Sequence, residues 1–298
     1  MSHAELMAQH DQMVMNIQAE RALEFSQAAA QRQALAARGE EREASTRKAM
    51  KAMGLDFSKL DALGAAEEDG QEQRIQALRA QLQIGAQGPA GHLNPASAVA
   101  PKGSVVLRPS WSETFSDASP LTESLELSAE AVIPGGGYKK YWNRASGAGS
   151  GNFGTGAGSN QTWVEFGAWY RPSENRFYSV VPHFQFRGFY IVRSDDGWFT
   201  SKEARIVVSC WTNVYQYGNW KGWNSVNVLD VGNDNIDVNQ RFDADRYPYS
   251  SFLLGADWAF VRCTIGLHAY ARGSGAYALN DYNAGNANYL GVPEISIT

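Results

Sequence analysis

Acidic and amide side chains, the residue types that bind hard metal ions, are concentrated in one stretch of the sequence. This stretch contains Asp230, Asn233, Asp234, Asn235, Asp237, Asp243 and Asp245. Calcium takes about six to eight oxygen ligands from loops of similar composition, but the spacing does not match the EF-hand pattern. Turns between strands are also rich in Asn and Asp, because these side chains hydrogen-bond the nearby backbone. The sequence therefore predicts a turn without a metal or other cofactor, and calcium is the alternative.

A glycine-rich stretch contains a formal dinucleotide-binding pattern. Gly149, Gly151 and Gly154 have the spacing G-x-G-x-x-G, which binds phosphates when a buried strand precedes it and a helix follows it. Residues 145–160 are rich in Gly and Ser throughout, and no helical pattern follows them. We predict a flexible loop at a contact surface here, and not a nucleotide site.

Residues for nucleophilic catalysis are present, but their spacing does not indicate an active site. His183 and His268 lie at polar positions of predicted strands, and we interpret each as a lone surface histidine. Ser209 lacks the context of a nucleophile elbow, and the sequence has no H-E-x-x-H or C-x-x-C pattern. Cys210 and Cys263 lie at apolar positions, which favours two buried thiols, with a cross-strand disulfide as the alternative. No catalytic residue is predicted.

Glycoside hydrolysis is the enzymatic alternative that the sequence leaves open. This reaction needs two carboxyl groups, which come from distant strands and leave no local motif. The candidate carboxyl groups belong to Glu165, Asp195, Asp196 and Asp230. A carbohydrate-active enzyme on a jelly roll is therefore one alternative function.

Aromatic residues beside small polar ones form the strongest binding signal. Residues 215–223 place Tyr215, Tyr217, Trp220 and Trp223 close together with two glycines. Tyr and Trp rings give a large contact area for little conformational entropy, and their faces can stack on sugar rings. We predict ligand contacts at these four residues and at three further tyrosines, namely Tyr247, Tyr249 and Tyr282. The alternative is that the rings only cover the ends of the β-domain.

The strands that must position these residues are clearest in the central stretch Thr162–Tyr217. Apolar and polar residues alternate there, with the period of two that a strand with one buried face requires. The apolar set is Val164, Phe166, Ala168, Tyr170, Phe184, Phe186, Ile206, Val208, Cys210 and Val214. Glu165, His183, Gln185, Arg187 and Ser209 lie between them on the polar side.

Further strands are predicted at 104–107, 123–133, 225–231, 258–271 and 289–297. Turn residues separate most of them, and no helical pattern long enough for parallel βαβ units occurs between them. The fold class predicted for this part of the chain is an antiparallel, jelly-roll-like β-sandwich.

The first third of the chain is helical in composition. Residues 4–53 predict one long helix with Gly39 as its interior breaker, a short segment follows between Gly54 and Gly64, and residues 71–84 predict a third helix. The apolar spacing of the long helix slips, so the coiled-coil signal is weak. Because these helices have few large side chains, we expect them to self-associate or to dock on a larger protein assembly. A helical hairpin folded back on the β-domain is the alternative.

Three regions follow from these patterns: a helical assembly or anchoring segment at 1–84, a linker at 85–103 and the β-sandwich domain at 104–298. Composition changes at the same place, because all 9 Trp and all 13 Tyr lie beyond residue 100. The linker is rich in Gly, Pro and small residues.

The charge distribution argues against nucleic-acid binding. Residues 1–100 have 10 Lys and Arg against 13 Asp and Glu, and residues 101–298 have 16 against 18, so neither part is basic. No apolar run is long enough to span a membrane, and Met1–Asn16 does not resemble a secretion signal. We therefore expect a soluble protein, extracellular only as part of a released or machine-exported particle.

These observations predict a non-enzymatic structural or adhesion protein. Its helical segment would make a homo-oligomer or join a larger assembly, and its aromatic-rich β-domain would bind a partner, with a surface glycan as the suggested ligand. Phage- or tail-like fibre and decoration proteins share this layout. A secreted pore-forming toxin, whose helices would rearrange, is the other alternative beside the carbohydrate-active enzyme.

Overall fold

The computed structural model describes residues 3–85, 103–117, 137–147, 157–195, 202–222, 225–273, 275–284 and 287–298. Within these residues the chain forms two helices followed by 14 strands, and the paired strands are antiparallel. The strands form two sheets, A and B, that enclose a hydrophobic core. The predicted fold class, an N-terminal helical segment followed by an antiparallel β-sandwich, is confirmed. The jelly-roll connectivity stays a prediction.

Sheet A is built around the long strand β6, which pairs with β13 and β14 on one side and with β10 and β11 on the other. Its strands, numbered along the chain, are β1 (Val105–Leu107), β3 (Tyr138–Lys139), β4 (Trp142–Ser146), β6 (Arg176–Ser194), β10 (Ile236–Arg246), β11 (Ser250–Leu254), β13 (Tyr277–Asp281) and β14 (Tyr289–Ile297).

Sheet B is built around β12, which pairs with β5 on one side and with β7 on the other. Its strands are β2 (Trp111–Asp117), β5 (Ala157–Tyr170), β7 (Glu203–Gln216), β8 (Asn219–Lys221), β9 (Val226–Asn233) and β12 (Ala259–Arg272). β2 lies beside β5, and β8 and β9 both pair with β7.

The core lies between the sheets and follows the predicted alternation. Val164 and Phe166 of β5 pack with Phe184 and Phe186 of β6, and all four are fully buried. Alternate residues of each strand point outward, so each sheet also has an outer face. The two outer faces carry the aromatic and charged residues considered below.

Both cysteines lie in the core as free thiols, which confirms the prediction of buried thiols. The hydroxyl of Thr212 lies 4.0 Å from the sulfur of Cys263. Burial raises the pKa of Cys210 to about 12 and raises the pKa of Cys263 as well. These thiols therefore contribute to packing and are poor nucleophiles.

The first helix has the predicted length, and the second helical region is longer and more continuous than the sequence predicted. α1 (His3–Ala52) continues through Gly39, and α2 (Phe57–Gly85) continues through Gly64 and Gly70. The prediction of two separate helical segments after residue 54 is wrong. A single glycine costs a helix only about 1 kcal/mol, which the packing of its neighbours can offset.

Helix α1 packs on the outer face of sheet B. Met13 and Ile17 are buried against Phe260 of β12, and Val14 of the helix and five half-buried residues of sheet B complete this cluster. They are Trp111, Phe115, Trp169, Tyr215 and Trp220. His10 accepts a hydrogen bond at Nδ1 from the indole nitrogen of Trp169, at 3.2 Å.

Helix α2 packs on the outer face of sheet A. Ile75 is buried against Phe189 and Ile191 of β6 and Leu279 of β13, and Leu78 lies beside it. The helices therefore have contacts on both outer faces of the sandwich. At these residues the structure has the arrangement that we kept as the alternative, in which the helical segment folds back on the β-domain.

Several predictions fall outside the described residues. They are the strand at 123–133, most of the linker at 85–103, the glycine pattern at 149–154, Asp196 and Trp223. In the part of the chain that the structure describes, no helix is long and apolar enough to cross a membrane.

Candidate functional site

The outer face of sheet B is rich in tryptophan because aromatic residues occupy several of the outward positions of β5, β7 and β8. Trp163, Trp211 and Trp220 lie there, beside the side of α1 that faces the sheet. Helix and sheet leave a cavity of about 550 Å³ between them. Its other lining residues are Glu20, Arg21, Glu24, Gln27, Ala28, Gln31, Gln161, Asn213, Gly222 and Arg262. We call this cavity the tryptophan groove.

Arg262 forms part of the floor of the tryptophan groove. Its guanidinium carbon lies 4.0 Å from the centre of the Trp220 ring, a cation–π contact. The carboxylates of Glu165 and Glu20 are 3.7 and 3.9 Å from its Nη1 atom, too far for good hydrogen bonds. Burial lowers the pKa of Arg262, although the charge of Glu165 opposes this.

Arg21 brings a second guanidinium into the same region from α1. Its Nη2 and Nε atoms donate to Glu165 Oε1 at 2.6 and 3.1 Å, and its Nη1 donates to Glu24 at 2.7 Å. The guanidinium also lies 5.0 Å from the centre of the Trp163 ring. Burial alone would lower the pKa of Arg21, but the charge of Glu165 and its hydrogen bonds outweigh burial and raise it.

Four buried polar side chains on this face have atoms without a hydrogen-bond partner among the described residues. They are Glu165 at Oε2, Asn213 at Oδ1, Arg262 at Nε and Nη1, and Thr264 at Oγ1. Each of these residues is less than a tenth exposed. An unpaired buried polar atom costs about 1–3 kcal/mol, so these polar groups reduce the stability gained from packing at this face. Asn213 and Arg262 line the groove directly.

The predicted contact segment 215–223 contributes two residues to this region. Trp220 lines the tryptophan groove, and the ring of Tyr215 lies 5.2 Å from it. Tyr217 instead occupies the turn between β7 and β8, where it is 61% exposed. Trp223, predicted with them, lies outside the described residues.

The three tyrosines predicted as further contacts do not form one site. Tyr249 is exposed on sheet A, and its hydroxyl lies 3.2 Å from Ser179 Oγ. Tyr247 stacks on His183, with ring centres 4.4 Å apart. Tyr282 is 1% exposed and packs in the core near Phe186, so a ligand on the folded surface does not reach it. The small polar residues that flank Tyr282 in the sequence did not indicate that its side chain is buried.

His183 is not the lone surface histidine that we predicted. It is 2% exposed, and its Nε2 atom lies 2.8 Å from Asp245 Oδ1 and 3.0 Å from the hydroxyl of Tyr247. Arg187 donates to the other oxygen of Asp245 at 2.6 Å. The polar position of His183 was assigned correctly, but Tyr247 covers the ring, and its Nδ1 atom is too buried to act as a base for a solvent-borne substrate.

The acidic stretch has partners other than a metal. Asp230 forms two hydrogen bonds with Arg205, at 2.8 and 2.7 Å, and Asp237 lies 3.8 Å from Arg193. Asp234 and Asn235 connect β9 to β10, as the predicted turn requires. Among the described residues, no group of three His, Cys, Asp or Glu side chains could hold a metal ion.

Two of the four candidate carboxyl groups for glycoside cleavage, those of Glu165 and Asp230, have separate partners in the fold. Glu165 lies buried beneath α1 with Arg21, and Asp230 forms its ion pair with Arg205 on β7. The carboxylates that do line the tryptophan groove are those of Glu20 and Glu24, which come from the helix.

Sequence reasoning missed four residues that build the groove: Arg21, Trp163, Trp211 and Arg262. Trp163 and Trp211 share the outward positions of Glu165 and Asn213, so large rings on the polar side of these strands were the available signal. Nothing local in the sequence joins Arg21 to β5, because the two are brought together only by the docking of α1.

Comparison with known proteins finds no matching family model and no similar curated protein.

Proposed function

We propose that this protein is a non-enzymatic, self-associating binding protein of the structural or adhesion type, and that the tryptophan groove binds a saccharide. One observation carries the proposal. Three tryptophan rings and several hydrogen-bonding side chains, two of them with unpaired buried atoms, line one cavity of about 550 Å³.

The chemistry of the lining suits a saccharide. A sugar presents C–H faces to aromatic rings and hydroxyl groups to its edges, and the groove offers Trp163, Trp211 and Trp220 beside amides and charged groups. The sugar hydroxyl groups can hydrogen-bond the amides of Gln27, Gln31 and Gln161, which also line the groove. The volume lies within the usual range of about 300–1,000 Å³ for small-ligand sites.

The charges around the groove favour a neutral sugar over an acidic one. The cations Arg21 and Arg262 are outnumbered by the carboxylates of Glu20, Glu24 and Glu165. A ligand carboxylate placed against Arg262 would also lie near Glu165 and Glu20, which are both within 4 Å of that guanidinium. The repulsion would cost part of the gain from the new ion pair.

Self-association is supported by the face of α1 that points away from sheet B. Its exposed residues follow a three-and-four spacing and carry no charge from residue 8 to residue 37: Ala8, Gln12, Met15, Ala19, Ala22, Ser26, Ala30, Gln33 and Ala37. Surface helices usually have charged residues on this face. An uncharged, narrow face allows close approach of a second helix, so a second copy of the chain is the proposed partner.

Saccharide binding is tested with a panel of neutral and acidic glycans, followed by titration calorimetry with the best ligand. We expect a neutral glycan to bind and Trp211→Ala or Trp220→Ala to weaken binding about fivefold or more, since losing a stacked ring costs about 1 kcal/mol or more. Tyr217→Ala and Tyr249→Ala are matched controls outside the groove. Absence of binding to every glycan would overturn the proposal, and release of a shortened glycan would favour the carbohydrate-active enzyme.

Self-association is tested separately by light scattering on the full chain. We expect a mass above that of one chain, and a decrease to one chain when Met15→Glu and Ala22→Glu are combined, because two carboxylates would have to be buried at the contact. Arg42→Glu provides a charged control on an exposed part of the same helix. A single-chain mass for the unaltered protein would contradict this part of the proposal and leave the saccharide groove unaffected.

A further inference from the structure

One end of the sandwich carries four large side chains that remain exposed. The exposed fractions are 66% for Phe177, 61% for Tyr217, 63% for Tyr249 and 55% for Leu253. We call these four residues the end patch. None of the four lines the tryptophan groove, and none belongs to the clusters in which α1 and α2 pack on the sheets.

The fold brings the end patch together from three connected segments. Phe177 and Leu253 are direct partners in the pairing of β6 with β11. Lys221 donates from Nζ to the carbonyl of Leu253 at 2.8 Å, and the same atom lies 5.8 Å from the centre of the Tyr217 ring. Tyr249 lies beside β6 through its hydroxyl contact with Ser179.

These exposed rings are not needed to complete the core. The neighbouring residues Tyr178, Phe252 and Leu254 point inward on the same strands and are already buried. Aromatic side chains bury about 150–250 Å² each when covered, so the end patch offers roughly 500 Å² of mostly apolar surface. That is as large as the largest patch on a typical monomer, which is often functional.

Tyr217 shows a conformational cost that folding alone does not explain. Its φ angle is +54°, and the next residue, Gly218, has a φ of +78°. A two-residue hairpin turn needs positive φ at both positions and favours Asn and Gly. A tyrosine in this conformation is disfavoured, yet most of the side chain remains exposed at the turn, with only its hydroxyl end close to Gly255. A role for the exposed ring accounts for that choice of residue.

We propose that the end patch is a docking surface for a phospholipid bilayer. Its roughly 500 Å² is smaller than the ~800 Å² that each partner contributes to a stable protein–protein interface, which argues against a second copy. Tyr and other aromatic rings suit the interfacial zone of a bilayer, where one end of the ring is apolar and the other wet.

The charges beside the end patch complement lipid phosphates. Arg171, Arg176 and Lys221 lie on the connections and strands that form this end, against Glu174 and Asp257. Arg176 pairs with Glu174 at 3.0 Å. The remaining charges at this end are the two cations Arg171 and Lys221 and the carboxylate of Asp257, so the net charge is positive. Such a surface attracts anionic headgroups weakly, while the rings supply most of the binding. This inference does not depend on saccharide binding.

The experiment is co-sedimentation of the full chain with vesicles of phosphatidylcholine alone and of phosphatidylcholine with phosphatidylserine. We expect binding to both and stronger binding to the second at low salt. Combining Phe177→Ala with Leu253→Ala should weaken binding about tenfold or more, because two inserted apolar side chains are lost. Tyr217→Asn removes the exposed ring and introduces a residue that favours the positive φ of this turn. It should weaken vesicle binding less than the double variant does.

Two controls make the result specific. Met53→Ala removes a 72% exposed side chain at the α1–α2 junction and should leave vesicle binding unchanged. Trp211→Ala alters the groove and should also leave it unchanged. The proposal is overturned if the unaltered protein binds neither vesicle, or if the Phe177 and Leu253 double variant binds as well as the unaltered protein. Since all replaced patch residues are exposed, the variants should fold as the unaltered protein does, which circular dichroism checks.

Discussion

Arg21 of α1 and Glu165 of β5 form a buried ion pair, with Arg21 Nη2 2.6 Å from Glu165 Oε1. Glu165 is fully buried and Arg21 is 4% exposed. The pair joins the first helix to the middle of sheet B across 144 residues of sequence. It therefore fixes where α1 lies on the sheet and, through this, the shape of the tryptophan groove.

Glu165→Gln should destabilise the protein more than Arg21→Met. Removing the charge of Glu165 leaves Arg21 and Arg262 as two buried cations near each other, and breaking a buried pair costs about 3–5 kcal/mol. Arg21→Met leaves Glu165 with Arg262 at 3.7 Å, so the expected cost is smaller, about 1–3 kcal/mol. Urea unfolding monitored by tryptophan fluorescence measures both values.

The exposed ion pair between Arg205 and Asp230 is the control for this comparison. Its atoms are 2.7 Å apart, similar to the buried pair, but the arginine side chain is 51% exposed. Asp230→Asn should therefore cost less than about 1 kcal/mol. An equal effect of Glu165→Gln and Asp230→Asn would show that α1 is not held to sheet B through this carboxylate.

Ile17→Ala should lower the free energy of unfolding by about 2–4 kcal/mol, because Ile17 is fully buried against sheet B. Leu23→Ala is the matched control on the same helix, since Leu23 is 59% exposed, and its expected effect is within about 0.5 kcal/mol in the absence of self-association. Chemical denaturation of both variants measures the difference. If Ile17→Ala were as mild as Leu23→Ala, the helix would not fold as one unit with the sandwich.

The sequence predicted the strands well because the hydrophobic period reports which face of a strand is buried. Val164, Phe166, Val208 and Val214 were assigned to the buried side, and each is 0% exposed. The long N-terminal helix was predicted almost to its ends, since Ala, Gln, Glu and Arg favour helix over a long window.

What packs on the outer faces was not predictable in the same way. Helix α1 has few large apolar residues on the side that faces the sheet, mainly Met13 and Ile17. Its sequence therefore did not indicate which surface it packs on. That surface was provided by the sheet, where Trp169 and Phe260 lie at outward positions. The same pattern, an aromatic residue close to Asn and Gly, predicted a ligand contact for both Trp220 and Tyr282. Only the tertiary structure shows that Trp220 lines the groove and that Tyr282 is buried in the core.

Both thiols should resist modification in the folded protein. Burial raises the pKa of Cys210 to about 12, and it raises that of Cys263 as well, so hardly any thiolate exists at pH 8. Ellman's reagent should detect almost no thiol under native conditions and two per chain in denaturant. Rapid native reaction would mean that the sheets open near β7 and β12, and absence of reaction in denaturant would mean a disulfide.

Gly167→Ala should destabilise the contact between α1 and sheet B. A Cβ atom at Gly167 would lie 2.0 Å from the Phe260 ring, which is fully buried in the contact with Met13 and Ile17. The ring would have to move, at a cost of about 1–3 kcal/mol. Gly70→Ala is the control, because nothing lies within 4 Å of its Cβ position in α2 and the change should stabilise by up to about 1 kcal/mol.

Asp245 should make the folded protein sensitive to acid. Burial opposes ionisation of its carboxyl group, but the hydrogen bonds from His183 and Arg187 outweigh burial and hold its pKa below the ordinary value. A carboxyl group whose pKa is lower in the folded state stabilises above its unfolded pKa of about 3.9, and this stabilisation is lost as the pH falls through the folded value.

The melting temperatures of the unaltered protein and Asp245→Asn should therefore differ by a constant amount between pH 6 and about 5, and the difference should decrease as the pH falls below about 4. Asp243→Asn on the same strand is the matched control, since Asp243 contacts Arg241 at 2.9 Å but not His183. A difference for Asp245→Asn that stays constant down to pH 2 would mean that the His183 and Arg187 contacts do not favour the ionised carboxyl group.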